Sequence, residues 1–154
     1  MASVFDVADY VLNRIGFVST MKLQKLVFYS QAYSLSKRGK PLFDDDFQAW
    51  ANGPVCPELF HFHRGMFVVG PGELGVGRES ALDCAERSVV DRVLDALGAL
   101  NGGQLSELTH AETPWLAARG ACRDGERCSA VIGKDEIARY YASDRLSNPL
   151  FFGN

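Results

Sequence analysis

Apolar positions recur at helical spacing along most of this chain. Val4, Val7, Val11 and Ile15 repeat at steps of three and four residues. Ser3 is placed to cap that run, Asp6 sits at its third helical position, and Gly16 is placed to end it in a left-handed conformation. The stretch Met21 to Lys37 is patterned differently. Leu23, Leu26, Val27, Ser30 and Tyr33 make one stripe, Phe28, Ala32 and Leu35 a second, and a narrow seam between them holds Gln24 and Gln31, two turns apart. A helix apolar on two sides is central and touches several neighbours. A buried amide without partners costs about 1–3 kcal/mol. The two glutamines must therefore bond irregular backbone nearby or line a groove open to a partner. Lys22 and Lys25 fall on the other, polar side.

Gly39-Lys40-Pro41 breaks this helix. Leu42-Phe43 and Phe47 to Trp50 then read as short extended pieces around the acidic turn Asp44-Asp45-Asp46. Pro54 and Pro57 start a helix through His63, since proline in a first turn sacrifices no hydrogen bond. Residues 65–80 form a Gly-rich loop. Leu82 to Leu100 is amphipathic, with Val89, Val90, Val93, Leu97 and Leu100 on one face, and Asn101-Gly102-Gly103 stops it. A short helix from Gln104 to His110 leads to Thr113-Pro114-Trp115, where Thr113 caps and Pro114 opens another turn. After a loop over 120–130, Gly133 to Ala142 gives a last helix with Ile137, Tyr140 and Tyr141. Ser143 to Asn154 has no periodicity. The pattern predicts a mainly α, compact single-domain fold of six to seven helices with a small β-hairpin.

The chain has 154 residues, 47% apolar and 23% charged, with a formal charge of -3. That length buries a core without staples. The charge speaks against a grip on nucleic acid or an anionic membrane. MASVFDVADY has no basic n-region, and the apolar runs fall short of a membrane span, so the expected location is cytoplasmic. Cysteines at 56, 84, 122 and 128 make no C-x-x-C pair. Free thiols are the expectation, although Cys122 and Cys128 bracket a polar loop and could pair under oxidation.

Few residue groupings suggest chemistry. Gly70-x-Gly72-x-x-Gly75 matches a dinucleotide fingerprint by letter, but Pro71 interrupts it and no βαβ alternation follows, so a surface loop is the preferred reading. Asp44-Asp45-Asp46 lacks calcium-loop spacing and reads as a solvated turn. His61 and His63 point about 200° apart on a helix and cannot chelate one ion together, while Cys56, between Val55 and Pro57, reads as a small buried apolar position. No metal and no cofactor are expected. His110, in LTHAETPW, could work with Glu112 or Asp46 as the acid–base pair of a small hydrolase or transferase. A helix-end histidine bonded to backbone is the simpler role. The expectation is therefore no enzyme.

Three separated stretches resemble the Panacea domain, also called SocA-like, of bacterial and phage antitoxins: MKLQKLVFYSQAYSL (21–35), PLFDDDFQAWANGPVCPELF (41–60) and LSELTHAETPWLAAR (105–119). The ending IGKDEIARYY also fits, which sets a domain over 1–142 and a C-terminal tail over 143–154. The resemblance carries over Lys22, Leu23, Gln24, Lys25, Tyr29, Trp50, Gly53, Pro54, Pro57, Thr109, His110, Pro114 and Trp115 as motif residues, structural or partner-binding, beside the Gln31 of the seam. Cys56 departs from the usual aliphatic residue. The implied function is an antitoxin that neutralises a protein toxin encoded by the adjacent gene through direct binding. The alternative it implies is an adaptor delivering the toxin to a AAA+ protease. The shared corner WANGPVCP is expected to dock on the central helix through Trp50. Candidate partner contacts are Phe60, Phe67, Phe151 and Phe152, with oligomeric state left open.

Overall fold

The computed structural model describes residues 1–143 and 146–152. Helix α1 (Val4–Ile15) starts on a reciprocal capping box: the Asp6 N–H donates to the Ser3 hydroxyl, and the Ser3 N–H donates to the Asp6 carboxylate. Its apolar face is fully buried at Val4, Val7 and Val11. Gly16 ends it with φ +79° but ψ -147°, not the left-handed helical turn expected; the chain leaves extended into β1 (Val18–Ser19).

Helix α2 (Thr20–Arg38) is the axle of the fold and packs against α1 and against α4 (Cys84–Leu97), α5 (Gly102–His110) and α7 (Lys134–Tyr141). Every residue from Leu23 to Ala32 is buried. The two seam glutamines take the first of the two roles open to them. Gln31 accepts from the Leu42 N–H at 2.7 Å and donates to the Phe43 carbonyl at 2.8 Å. Gln24 accepts from the Cys56 N–H at 2.9 Å and donates to the Cys56 carbonyl at 3.2 Å. Each amide thus acts like a strand neighbour and fixes one irregular segment to the axle. Lys25 is a correction: it is 1% exposed, not on a polar face. Lys22 reaches the end of α4, donating to the Gly98 carbonyl.

The fixed segments lead into β2 (Phe47–Trp50) and β3 (Gly53–Val55), an antiparallel hairpin in the register Gln48↔Val55 and Trp50↔Gly53. A third strand, β5 (Val131–Ile132), pairs on the other edge of β2, so the order is β3-β2-β5. Strand alternation sends Phe47 and Ala49 inward and leaves Gln48 and Trp50 half-buried. The expected docking of Trp50 on the central helix is therefore corrected. The Gly-rich loop also holds more order than expected: β4 (Val68–Val69) pairs with β1, and Glu79–Ala81 forms a 3-10 turn.

Helix α3 (Pro57–His63) begins with proline at its first turn. Helix α4 (Cys84–Leu97) starts on a capping box of Asp83 and Glu86. Asn101, read from sequence as a stop, instead caps α5 (Gly102–His110) with Gln104 completing the box. Helix α6 (Thr113–Arg119) has Glu112, not Thr113, at its cap position, and the Glu112 side chain turns into the interior. Helix α7 (Lys134–Tyr141) closes the bundle. The fold is mainly α, with seven α-helices among the described residues.

Leu150 and Phe151 are buried, and Phe151 stacks on Tyr141 at 4.8 Å, which removes it from the candidate contacts. Phe152 is exposed. The expectation of four free thiols is also corrected. Cys122 and Cys128 are disulfide-bonded, with Cα atoms 6.2 Å apart, leaving Cys56 buried and Cys84 exposed. Among the described residues no helix is long and apolar enough to cross a membrane.

Candidate functional site

The first turns of α2, the hairpin, α3 and the loop closed by the disulfide surround a cavity of about 580 Å³. Its walls follow from strand alternation. Trp50, pointing away from the core, meets Phe60 of α3 edge-on at 4.9 Å, and its indole N–H donates to Gln48 at 2.8 Å. Met21 and Val55 add apolar wall, and Arg127, Cys128 and Ser129 supply the far side.

Gln24, Lys25 and His63 are among the polar groups that line the cavity. Because the Gln24 oxygen already accepts from Cys56, its amide nitrogen faces the Nε2 of His63 at 3.0 Å. That places the imidazole proton on Nδ1. Burial, with a contribution from Lys25, lowers the pKa of His63 and so favours its neutral form. Lys25 forms no hydrogen bond or ion pair with any described residue, and burial lowers its pKa to about 7. Gly53 explains how so long a side chain fits. A Cβ there would lie 2.5 Å from Lys25 Cε and 2.9 Å from Thr109 Oγ1, and its φ of +115° suits glycine alone.

The other motif residues brace this site from behind. Trp115 donates its indole N–H to the Trp50 carbonyl at 2.8 Å. Arg119, buried against the Trp115 ring, donates to the Ala49 carbonyl and to the Glu126 carbonyl, tying the hairpin to the disulfide loop. Ser106 bonds the Asn52 carbonyl at the hairpin turn. Thr109 bonds its own helix, at the Ser106 carbonyl. Pro54 lies buried in β3, Pro57 opens α3 and Pro114 opens α6. Tyr29 donates to Glu112, whose carboxylate also accepts from Tyr141 and Asn148. Burial raises the pKa of Glu112, while its three donors pull the other way.

His110 does not take the backbone bond expected of it. It stacks on Trp115 at 4.0 Å, and its Nε2 is buried without a partner among the described residues. It shares no hydrogen bond with Glu112, which is occupied as above, or with Asp46, which pairs with Lys134 at 2.7 Å. Cys56 is grouped not with the histidines but with Asp45 and Glu58, the three donor atoms lying within 4.8 Å of one another. Its thiol donates to Glu58 at 3.3 Å, and burial, reinforced by that carboxylate, pushes its pKa up to about 12.

A second feature adjoins the cavity. Phe17, Phe67 and Val68 stand exposed on the β1–β4 ribbon, Phe67 at 89%. The Thr20 N–H bonds the Phe67 carbonyl at 2.9 Å, so the ribbon runs directly into the α2 turn whose Thr20 and Met21 line the cavity. Phe62, also exposed, leans on Phe5 of α1 at 5.0 Å. Sequence reasoning missed Phe17, the burial of Lys25, and Asn148 as a partner of Glu112. A signal existed only for Lys25: it stands one position from Gln24 on a helix whose apolar stripes leave little polar surface.

The family described as antitoxin SocA-like, Panacea domain, matches residues 23–116, more than half of the chain. Antitoxin SocA of Caulobacter vibrioides (strain NA1000 / CB15N) is 27% identical over 113 residues, covering 64% of this chain. The chain spans 58% of that relative's length. No solved structure matches.

Proposed function

The chain belongs to the SocA-like, Panacea-domain antitoxin family, and from that premise we propose that it neutralises a cognate protein toxin by binding it directly. The observation that carries this reading is the division of labour among the motif residues. Gln24, Gln31, Tyr29, Thr109, Trp115 and the helix-opening prolines are spent on internal bonds and packing. What they hold up is an outward face of Phe17, Phe67 and Val68 beside the Trp50–Phe60 cavity. Exposed aromatic groups next to a cavity are the usual anchors of a tight interface. A neutralising complex needs nanomolar affinity or better, which calls for an interface of about 1,200–2,000 Å².

The toxin on this reading is the product of the adjacent gene. Phe67→Asp tests the face, because an 89% exposed side chain contributes little to folding. The variant should keep the wild-type midpoint in urea and fail to protect cells expressing the toxin. Protection at wild-type level would place the interface elsewhere. Protection that requires a AAA+ protease and lowers toxin abundance would replace neutralisation by the adaptor role.

A further inference from the structure

Resting on that reading, we propose that the Lys25 cavity is a receptor for a carboxylate of the toxin, an Asp or Glu side chain whose apolar neighbour packs between Trp50, Phe60 and Met21. No lining residue of the cavity is acidic, although the whole chain carries 19 Asp and Glu against 16 Lys and Arg. Two cations, Lys25 and Arg127, line it. Lys25 is 1% exposed and unpartnered among the described residues, and an ammonium taken out of water without an anion is strongly disfavoured. The fold nonetheless makes room for it: Gly53 has no Cβ where one would strike the lysine stem. The groups facing the amine from the packed elements add no negative charge. Burial first, and the like charge of Lys25 after it, lower the pKa values of His63 from α3 and His110 from α5. Arg127 comes from the disulfide loop. A carboxylate entering from the partner supplies the missing charge, and the aromatic walls then exclude water from the pair.

Lys25→Met keeps the length and apolar stem of the side chain and removes the charge. Measured by calorimetry on the purified protein and toxin, the variant should bind roughly 100-fold more weakly, as expected for one partner of a buried charge pair. Replacing toxin Asp and Glu residues singly by Asn and Gln should identify one position whose loss weakens the wild type equally and leaves Lys25→Met unaffected. In the wild type, NMR of ¹³C-labelled lysine should show the Lys25 pKa rising by at least about two units on complex formation. Equal affinities of wild type and Lys25→Met, or an unchanged Lys25 titration in the complex, would overturn the receptor while leaving neutralisation intact. A wild-type protein that binds no toxin would overturn the functional reading itself.

Discussion

Replacing Lys25 with methionine should make the free protein more stable near neutral pH. Burial lowers the pKa of this lysine from 10.5 to about 7. An unfolded chain therefore holds the proton up to about pH 10.5, whereas the folded chain releases it near 7. Because the folded value is the depressed one, the lysine's contribution is complete above the unfolded value and is lost as the pH falls toward 7. Each pH unit in that window is worth up to about 1.4 kcal/mol. Relative to the methionine variant, the wild type should thus gain about 3 kcal/mol between about pH 7 and pH 9.5. At about pH 7 the variant should lead by up to ~4 kcal/mol. Cys56, Tyr29 and Tyr141, whose pKa values burial raises, act with the opposite sign toward the alkaline end, but both proteins share them, so the difference between the two curves isolates Lys25. Urea unfolding followed by tryptophan fluorescence, repeated in half-unit pH steps, reads the effect. Parallel curves for the two proteins would refute it, showing that Lys25 stays charged in the folded state.

Gln31→Ala should cost roughly 2–4 kcal/mol in urea unfolding, because it strands both the Leu42 N–H and the Phe43 carbonyl in the interior; a loss below about 1 kcal/mol would mean that water replaces the clamp. Phe151→Ala should cost about 3–5 kcal/mol and Phe152→Ala under about 0.5 kcal/mol, since one ring is buried on Tyr141 and the other is exposed. Equal losses would contradict the docking of the C-terminal segment. His110→Ala, if folded as judged by circular dichroism, should still protect cells from the toxin. A folded, toxin-binding variant that no longer protects would instead point to chemistry at this histidine.

The helices were legible because each buries one face, and burial of one face writes a period into the sequence. The seam glutamines were legible too, as a demand for partners, although which backbone answers it depends on where residues 42 and 56 cross α2. Lys25 was misread for a related reason. Its neighbours gave it a polar side of the helix, but that side is covered by the hairpin turn and α5, elements distant in sequence. Trp50 was misread because large aromatic residues usually go inside; the two-residue alternation of β2 decided otherwise. The last residues carry no periodicity, yet Asn148 and Phe151 join the interior through Glu112 and Tyr141. Contacts of that kind leave no local pattern to read.

The central claim is that protection comes from direct binding, and purified components test it most directly. The chain and the product of the adjacent gene, each prepared alone and mixed with no protease present, should form a complex with nanomolar or tighter affinity by calorimetry. The toxin's activity should fall in step with occupancy of that complex. An undiminished toxin in the presence of saturating protein, or no complex at micromolar concentrations, would contradict the account.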